Sequence, residues 1–222
     1  MKHSKVLCAW LSILVALILL TASIAAPILC RPFYYAHIEP MNLPERTGLT
    51  RQEIKTAFDE MMDYCLGGEE FSTGVLAWSE EGKSHFDDVR DLFLLDLYLL
   101  LASCLVLIAT LIVSRLCGKR PGRPLRRGFP FWAGAGLGGV FVVIGILASL
   151  DSGRAFVIFH SLFFPGKDNW IFDPRTDEII RILPRDFFMH CAILILSILI
   201  VGCLLLIFWD LLHHRKNSLH RV

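Results

Sequence analysis

Residues 92–113 read LFLLDLYLLLASCLVLIATLIV, apolar on every side of a helix apart from Asp96. About 20 such residues, rising roughly 1.5 Å each as a helix, cross the roughly 30 Å hydrocarbon layer of a bilayer. Three further stretches have the same character, Val6 to Leu29, Phe129 to Leu150 and Phe187 to Leu212. Over all 222 residues the hydrophobic share is 55% and the mean hydropathy +0.56, well above the globular norm. A collagen, a disordered tail protein and a cytosolic enzyme are excluded. The expected fold is mainly all-α: four transmembrane helices forming a single integral membrane domain over residues 1–222.

The net charge of +1 hides an asymmetry. The N-terminal tail (Lys2, Lys5), the 114–128 loop (Arg115, Lys119, Arg120, Arg123, Arg126, Arg127) and the C-terminal tail (Arg215, Lys216, Arg221) hold 11 basic residues and no acid. Loops 30–91 and 151–186 hold 11 basic residues against 19 acidic ones. Short Lys/Arg-rich segments stay cytoplasmic, so both termini and residues 114–128 are expected inside the cell, with the two acidic loops outside the plasma membrane. The first stretch resembles a secretory signal, yet its apolar run exceeds the usual h-region of about 7 to 15 residues and it is expected to be retained as a span.

The two outer loops are expected to form a small cap. Thr50-Arg51-Gln52-Glu53 is a capping box that starts an amphipathic helix, with Ile54, Phe58, Met61 and Cys65 on one stripe and Gly67-Gly68 as the stop. That stripe needs a cover, either the lipid interface or the second loop. Phe71 to Trp78 is a candidate short strand or hairpin. Asp173-Pro174, followed by Asp177-Glu178, has the layout of a helix N-cap, an N1 proline and an acidic first turn. Of seven cysteines no two stand in Cys-x-x-Cys spacing. Cys30 and Cys65 alone sit toward the oxidising side, where a disulfide is possible.

Candidate chemistry is sparse. Gly134, Gly136 and Gly139 fit Gly-x-Gly-x-x-Gly, but no strand precedes them, and small residues four apart in a span instead let helices approach closely. No Gly-x-Ser-x-Gly nucleophile elbow exists. Asp96 is a carboxylate about one turn into the membrane, where such groups face a polar interior. His85, Asp88 and Asp91 share one face if helical, and His160 stands among Phe156, Phe159, Phe163 and Phe164. A metal set of His85, Asp88, His160 and Asp173 lacks diagnostic spacing, so neither a metal nor a cofactor is expected. The basic residues are topogenic rather than a nucleic-acid-binding face.

His85-x-x-Asp88-Val89-Arg90 before the second span, Phe159-His160-x-x-Phe163-Phe164 before Trp170-x-Phe172-Asp173-Pro174, and Leu183-Pro184 with Phe187-Phe188 together resemble the lipoprotein intramolecular transacylase family, Lit, of Gram-positive bacteria. The resemblance covers nearly the whole chain. It implies a diacylated lipoprotein substrate within membrane lipid, whose sn-2 acyl chain moves from glycerol to the α-amine of the modified cysteine and gives the lyso form. Because the substrate amine attacks its own lipid's ester, no enzyme nucleophile is needed.

Such a reaction needs proton transfer near neutral pH, which suits imidazole. On this reading His85 and His160 are the catalytic residues, with His85 as general base and acid and His160 assisting at the ester; the reverse assignment stays open. Asp88 is expected to orient His85, and Arg90 to stabilise developing negative charge, with Asp173 and Trp170 supporting. Two other readings remain: a non-catalytic four-helix membrane module that binds a partner through its outer loops, and a metal-dependent membrane hydrolase.

Overall fold

The computed structural model describes residues 2–219. Arg221 lies outside the described residues, as do the side chains of Arg215 and Lys216. Four helices are long and apolar enough to cross a membrane: Lys5–Leu29, Glu80–Leu116, Phe129–Leu150 and Arg185–His213. They belong to α1 (Lys5–Leu29), α5 (Glu80–Leu116), α6 (Phe129–Leu150) and α8 (Arg185–Leu219). Between them lie the short helices α2 (Arg31–Tyr35), α3 (Leu43–Thr47), α4 (Arg51–Cys65) and α7 (Ser152–Phe163). α5 starts well before its apolar stretch, because the Ser79 hydroxyl accepts the Gly82 N–H at 3.0 Å and Glu80 and Glu81 fill the first turn, where a hydroxyl cap and negative charge both favour initiation.

The chain divides into two compact units. One comprises Met1–Ile24, Leu97–Leu147 and Ile195–Val222; the other comprises Ala25–Asp96 and Ala148–Leu194.

In the first unit, α6 and α8 approach closely along the small-residue stripe. A Cβ on Gly134 would stand 2.6 Å from the Cys203 carbonyl oxygen, and one on Gly138 3.2 Å from the Cys203 Cβ, whereas Gly136 and Gly139 face open space. The glycines thus serve packing at the four-residue spacing. Asp210, 3% exposed, accepts from Arg123 at 2.8 Å and from the Gly128 N–H at 3.0 Å, which satisfies one oxygen of a buried charge. Strands β1 (Lys2–Ser4) and β2 (Lys119–Pro121) pair in parallel.

In the second unit the capping box forms as expected: Thr50 Oγ1 accepts the Glu53 N–H at 3.2 Å, and Glu53 accepts the Thr50 N–H at 2.7 Å. The apolar stripe of α4 is buried, and its cover is protein. Tyr34 stacks on Phe58 with ring centres 3.8 Å apart, Phe187 packs edge-on against both, and the Tyr34 hydroxyl donates to the Ile182 carbonyl at 2.9 Å.

Two local expectations are corrected, and the open question of a disulfide is answered. Phe71–Trp78 is no strand, because Glu60 draws the Ser72 hydroxyl to 2.5 Å and the Gly74 N–H to 2.9 Å and folds the segment into a turn with Gly74 at φ +61°; side-chain bonds to the backbone outcompete strand pairing here. Asp173 does not cap a helix: its carboxylate takes the Arg175 N–H at 3.0 Å, closing a turn that delays helix until a 3-10 segment at Glu178–Arg181. Asp177, expected inside that helix, instead accepts from the Ser79 N–H at 2.8 Å. Finally, Cys30 is exposed, Cys65 is buried, and both are free thiols.

Gly134→Ala should lower the thermal midpoint in detergent, by roughly 1 to 3 kcal/mol of overpacking, because its new methyl meets backbone. Gly136→Ala should leave the midpoint unchanged or raise it. Equal effects of the two substitutions would refute the assignment of the packing face.

Candidate active site

His85 lies in the second turn of α5 and His160 near the end of α7, whose start is capped by Asp151 accepting the Arg154 N–H at 2.9 Å. The second unit brings them together: their ring centres are 6.1 Å apart with planes inclined by 30°. They are 6% and 8% exposed. Phe164 contacts both imidazoles, at 4.9 Å from His85 and 5.7 Å from His160. Phe172 closes the His85 side at 5.4 Å, while Phe156 at 4.1 Å and Trp170 at 4.6 Å close the His160 side. A cavity of about 380 Å³ adjoins this surround, lined by Phe156, Trp170, Phe172 and Phe188 with Arg46 and Arg185 among its walls.

Burial penalises the charged form of an imidazole. His85 is pushed down to about 4, first by burial and then by the neighbouring His160 and Lys167, with Asp88 pulling the other way. His160 is also lowered by burial, against the opposing pull of the Phe156 carbonyl. Both rings are therefore neutral at pH 7. His160 Nδ1 lies 2.8 Å from that carbonyl, which can only accept, so Nδ1 carries the hydrogen and Nε2 the lone pair. This tautomer is inferred from the bonding partner. His85 Nδ1 is buried without a hydrogen-bond partner among the described residues.

The supporting residues stand differently from their sequence-based expectation. Trp170 packs against the His160 ring, and its indole N–H is held by the Lys167 carbonyl at 3.0 Å. Asp88, expected to orient His85, instead accepts from Lys167 Nζ at 2.5 Å and Asn169 Nδ2 at 3.1 Å. Arg90 is directed elsewhere: it donates to the Gly68 carbonyl at 2.7 Å and lies over the Tyr64 ring at 4.9 Å, so it secures the end of α4. Asp173 is clamped by Arg175 at 2.7 Å, which holds its carboxyl down to about 2. His190 meets His37, 4.9 Å away between ring centres. Ser161 is exposed and donates to the Val157 carbonyl at 2.9 Å. Among the described residues no group of three His, Cys, Asp or Glu is placed to hold a metal ion.

Lys167 and Asn169, which the sequence reading did not single out, stand beside the two imidazoles through their bonds to Asp88. The available signal was two donors in a short segment between the His160 motif and Trp170.

A profile of the family described as lipoprotein intramolecular transacylase Lit matches residues 9–188. The chain is similar to the in meso structure of the membrane integral lipoprotein intramolecular transacylase Lit from Bacillus cereus, with TM-score 0.83, 25% identity and 96% of each chain covered. Structures of that protein with an H85A mutation and with an H85R mutation match at TM-score 0.79 and 23% identity, covering 97% of this chain and 95% and 94% of theirs. No curated protein matches this sequence.

The depressed His85 value has a stability consequence. An unfolded histidine binds its proton near 6.5 and the folded one only near 4, so between these values the unfolded state holds more protons and stability falls as pH falls. Thermal unfolding in detergent should show this loss between about pH 6.5 and pH 4, and His85→Gln should flatten the slope. An unchanged slope in that variant would refute the burial argument.

Proposed function

The chain belongs to the lipoprotein intramolecular transacylase family, Lit, and from that premise we propose that its two buried imidazoles carry the proton transfers of an O-to-N acyl shift on a diacylated lipoprotein. It is a multi-pass membrane protein and a transacylase by family. The observation that carries the proposal is the stacked pair His85 and His160 inside an aromatic surround.

The substrate α-amine, with a reference pKa of about 7.7 to 8.0, must first release a proton to become a nucleophile. The neutral amine then attacks the sn-2 ester carbonyl of its own lipid, through a ring of the amine nitrogen, two cysteine carbons, sulfur, two glycerol carbons, the ester oxygen and the acyl carbon. Holding these atoms together supplies much of the rate through proximity. As the C–N bond forms, the amine nitrogen must lose a proton; as the acyl C–O bond breaks, the glycerol oxygen must gain one. The same proton can pass from one to the other through a single imidazole.

The bonding pattern favours His160 for that step and His85 for the carbonyl. The Phe156 carbonyl holds the hydrogen of His160 on Nδ1, which leaves Nε2 as the acceptor, oriented much as a base is in a catalytic triad. A neutral His160 so bonded has no donor left for an oxyanion. His85, neutral down to about pH 4, is a poor base but retains one N–H to stabilise the oxyanion, a role open to neutral imidazole. With Arg90 held at Gly68, no side-chain cation is assigned to the oxyanion. Phe164, Phe172 and Phe156 limit water near the acyl carbon, which disfavours hydrolysis.

The placement of this unit on the outer side, with both termini cytoplasmic, is supported by the charge asymmetry. Glu81 and Arg126 are exposed. In a Cys30→Ser, Cys117→Ser background, an impermeant thiol reagent should label Glu81→Cys but not Arg126→Cys in intact cells; the opposite pattern would invert the orientation.

The decisive experiment is mass spectrometry of lipoprotein N-termini in cells producing this chain or its variants. His85→Asn and His160→Asn should each cut conversion by about 10² to 10⁴, leaving diacyl lipoprotein, while Ser161→Ala converts normally. Near-normal conversion by a folded histidine variant, or an acyl group trapped on a serine or cysteine of this chain, would overturn the mechanism.

A further inference from the structure

Three groups in the second unit form a connection that no step above uses. Asp88 is one helical turn beyond His85 on α5, and its two oxygens are held separately, Oδ1 by Lys167 Nζ at 2.5 Å and Oδ2 by Asn169 Nδ2 at 3.1 Å. Both donors come from the turn that follows α7, the helix that bears His160. That turn also delivers Trp170 onto the His160 ring, and the Lys167 carbonyl fixes the indole at 3.0 Å. A carboxylate only accepts, so the amide of Asn169 must present its NH₂ to Asp88; its Oδ1 is buried without a partner among the described residues.

We infer that Lys167 and Asn169 are positioning residues of the transacylase site, clasping Asp88 so that the two imidazoles are held at their working separation. The clasp joins the His85 helix to the Trp170 face of His160 with one ion pair and one hydrogen bond, and misplacement by about 1 Å at a reacting group can lower a rate a hundredfold. It also sets the charge that His85 meets. His160, Asp88 and Lys167 are the titratable groups acting on that ring, and among them Asp88 favours the imidazolium while Lys167 and His160 oppose it. Asp88 and Lys167 therefore act on His85 in opposite senses, and removing either unbalances it in a predictable direction. Asp88 itself is held ionised by its two donors, against its own burial.

The inference rests on the transacylase reading, so its test includes a measurement independent of turnover. In histidine-labelled protein in micelles, NMR titration of His85 should move up in Lys167→Gln and down in Asp88→Asn. In cells, each single variant should lose about tenfold to a hundredfold in lipoprotein conversion, and the exchanged pair Asp88→Lys with Lys167→Asp should recover part of it. Asn169→Leu should lower conversion with a smaller displacement of the His85 titration, since it removes no charge. Shifts in the same direction for Lys167→Gln and Asp88→Asn, or none, would overturn the clasp even if the histidines prove catalytic. Opposite shifts without any change in conversion would leave an electrostatic contact and overturn the positioning role.

Discussion

Lipid offers no hydrogen bonds to a peptide group, so every N–H and C=O within the hydrocarbon layer must be satisfied by its own chain. That constraint makes α1, α5, α6 and α8 long and regular, and confines turns, caps and 3-10 segments to residues beyond the spans. Irregular backbone is also what chemistry needs, because it carries side chains to a common point from distant positions. His85 and His160 come from separate helices joined by a complete passage through the membrane and back, and the turn at Phe164–Trp170 supplies two of the rings that surround them, Phe164 and Trp170.

The second unit is held together largely by aromatic side chains. Tyr34, Phe58 and Phe187 form one cluster under α4, and Phe86, Phe164 and Phe172 another beside His85. Ring pairs of this kind contribute about 0.5 to 1.5 kcal/mol each beyond their area. They also create the low-polarity surroundings that keep both imidazoles neutral. Rigidity and proton chemistry thus have one cause here.

Much of this was readable from residue order. The spans follow from apolar run length, α4 from the Thr50 and Glu53 box, and the α6 packing face from Gly134 and Gly138, because each signal is local. The pairing of His85 with His160 came from the family resemblance, since nothing in spacing alone joins positions so far apart. What could not be read were contacts decided by competition among donors. Asp88 has a histidine one turn away, yet Lys167 and Asn169 take it; Arg90 adjoins the site in sequence, yet the Gly68 carbonyl and Tyr64 ring hold it. Phe71–Trp78 has strand composition, and one carboxylate, Glu60, folds it otherwise. β1 and β2, three residues each, carry no pattern to detect.

Within the second unit α5 is unbroken from Glu80 to Asp96, so the turn bearing His85 and the first apolar turn at Leu92 share one axis. His85 precedes Leu92 by two helical turns, about 10 Å along the axis. A helix of this kind answers a thicker or thinner bilayer by tilting, at a cost of fractions of a kcal/mol per Å of mismatch. A tilt of that apolar start would carry the imidazole with it. Membrane thickness, set by acyl-chain length and temperature, would thereby bear on the position of His85.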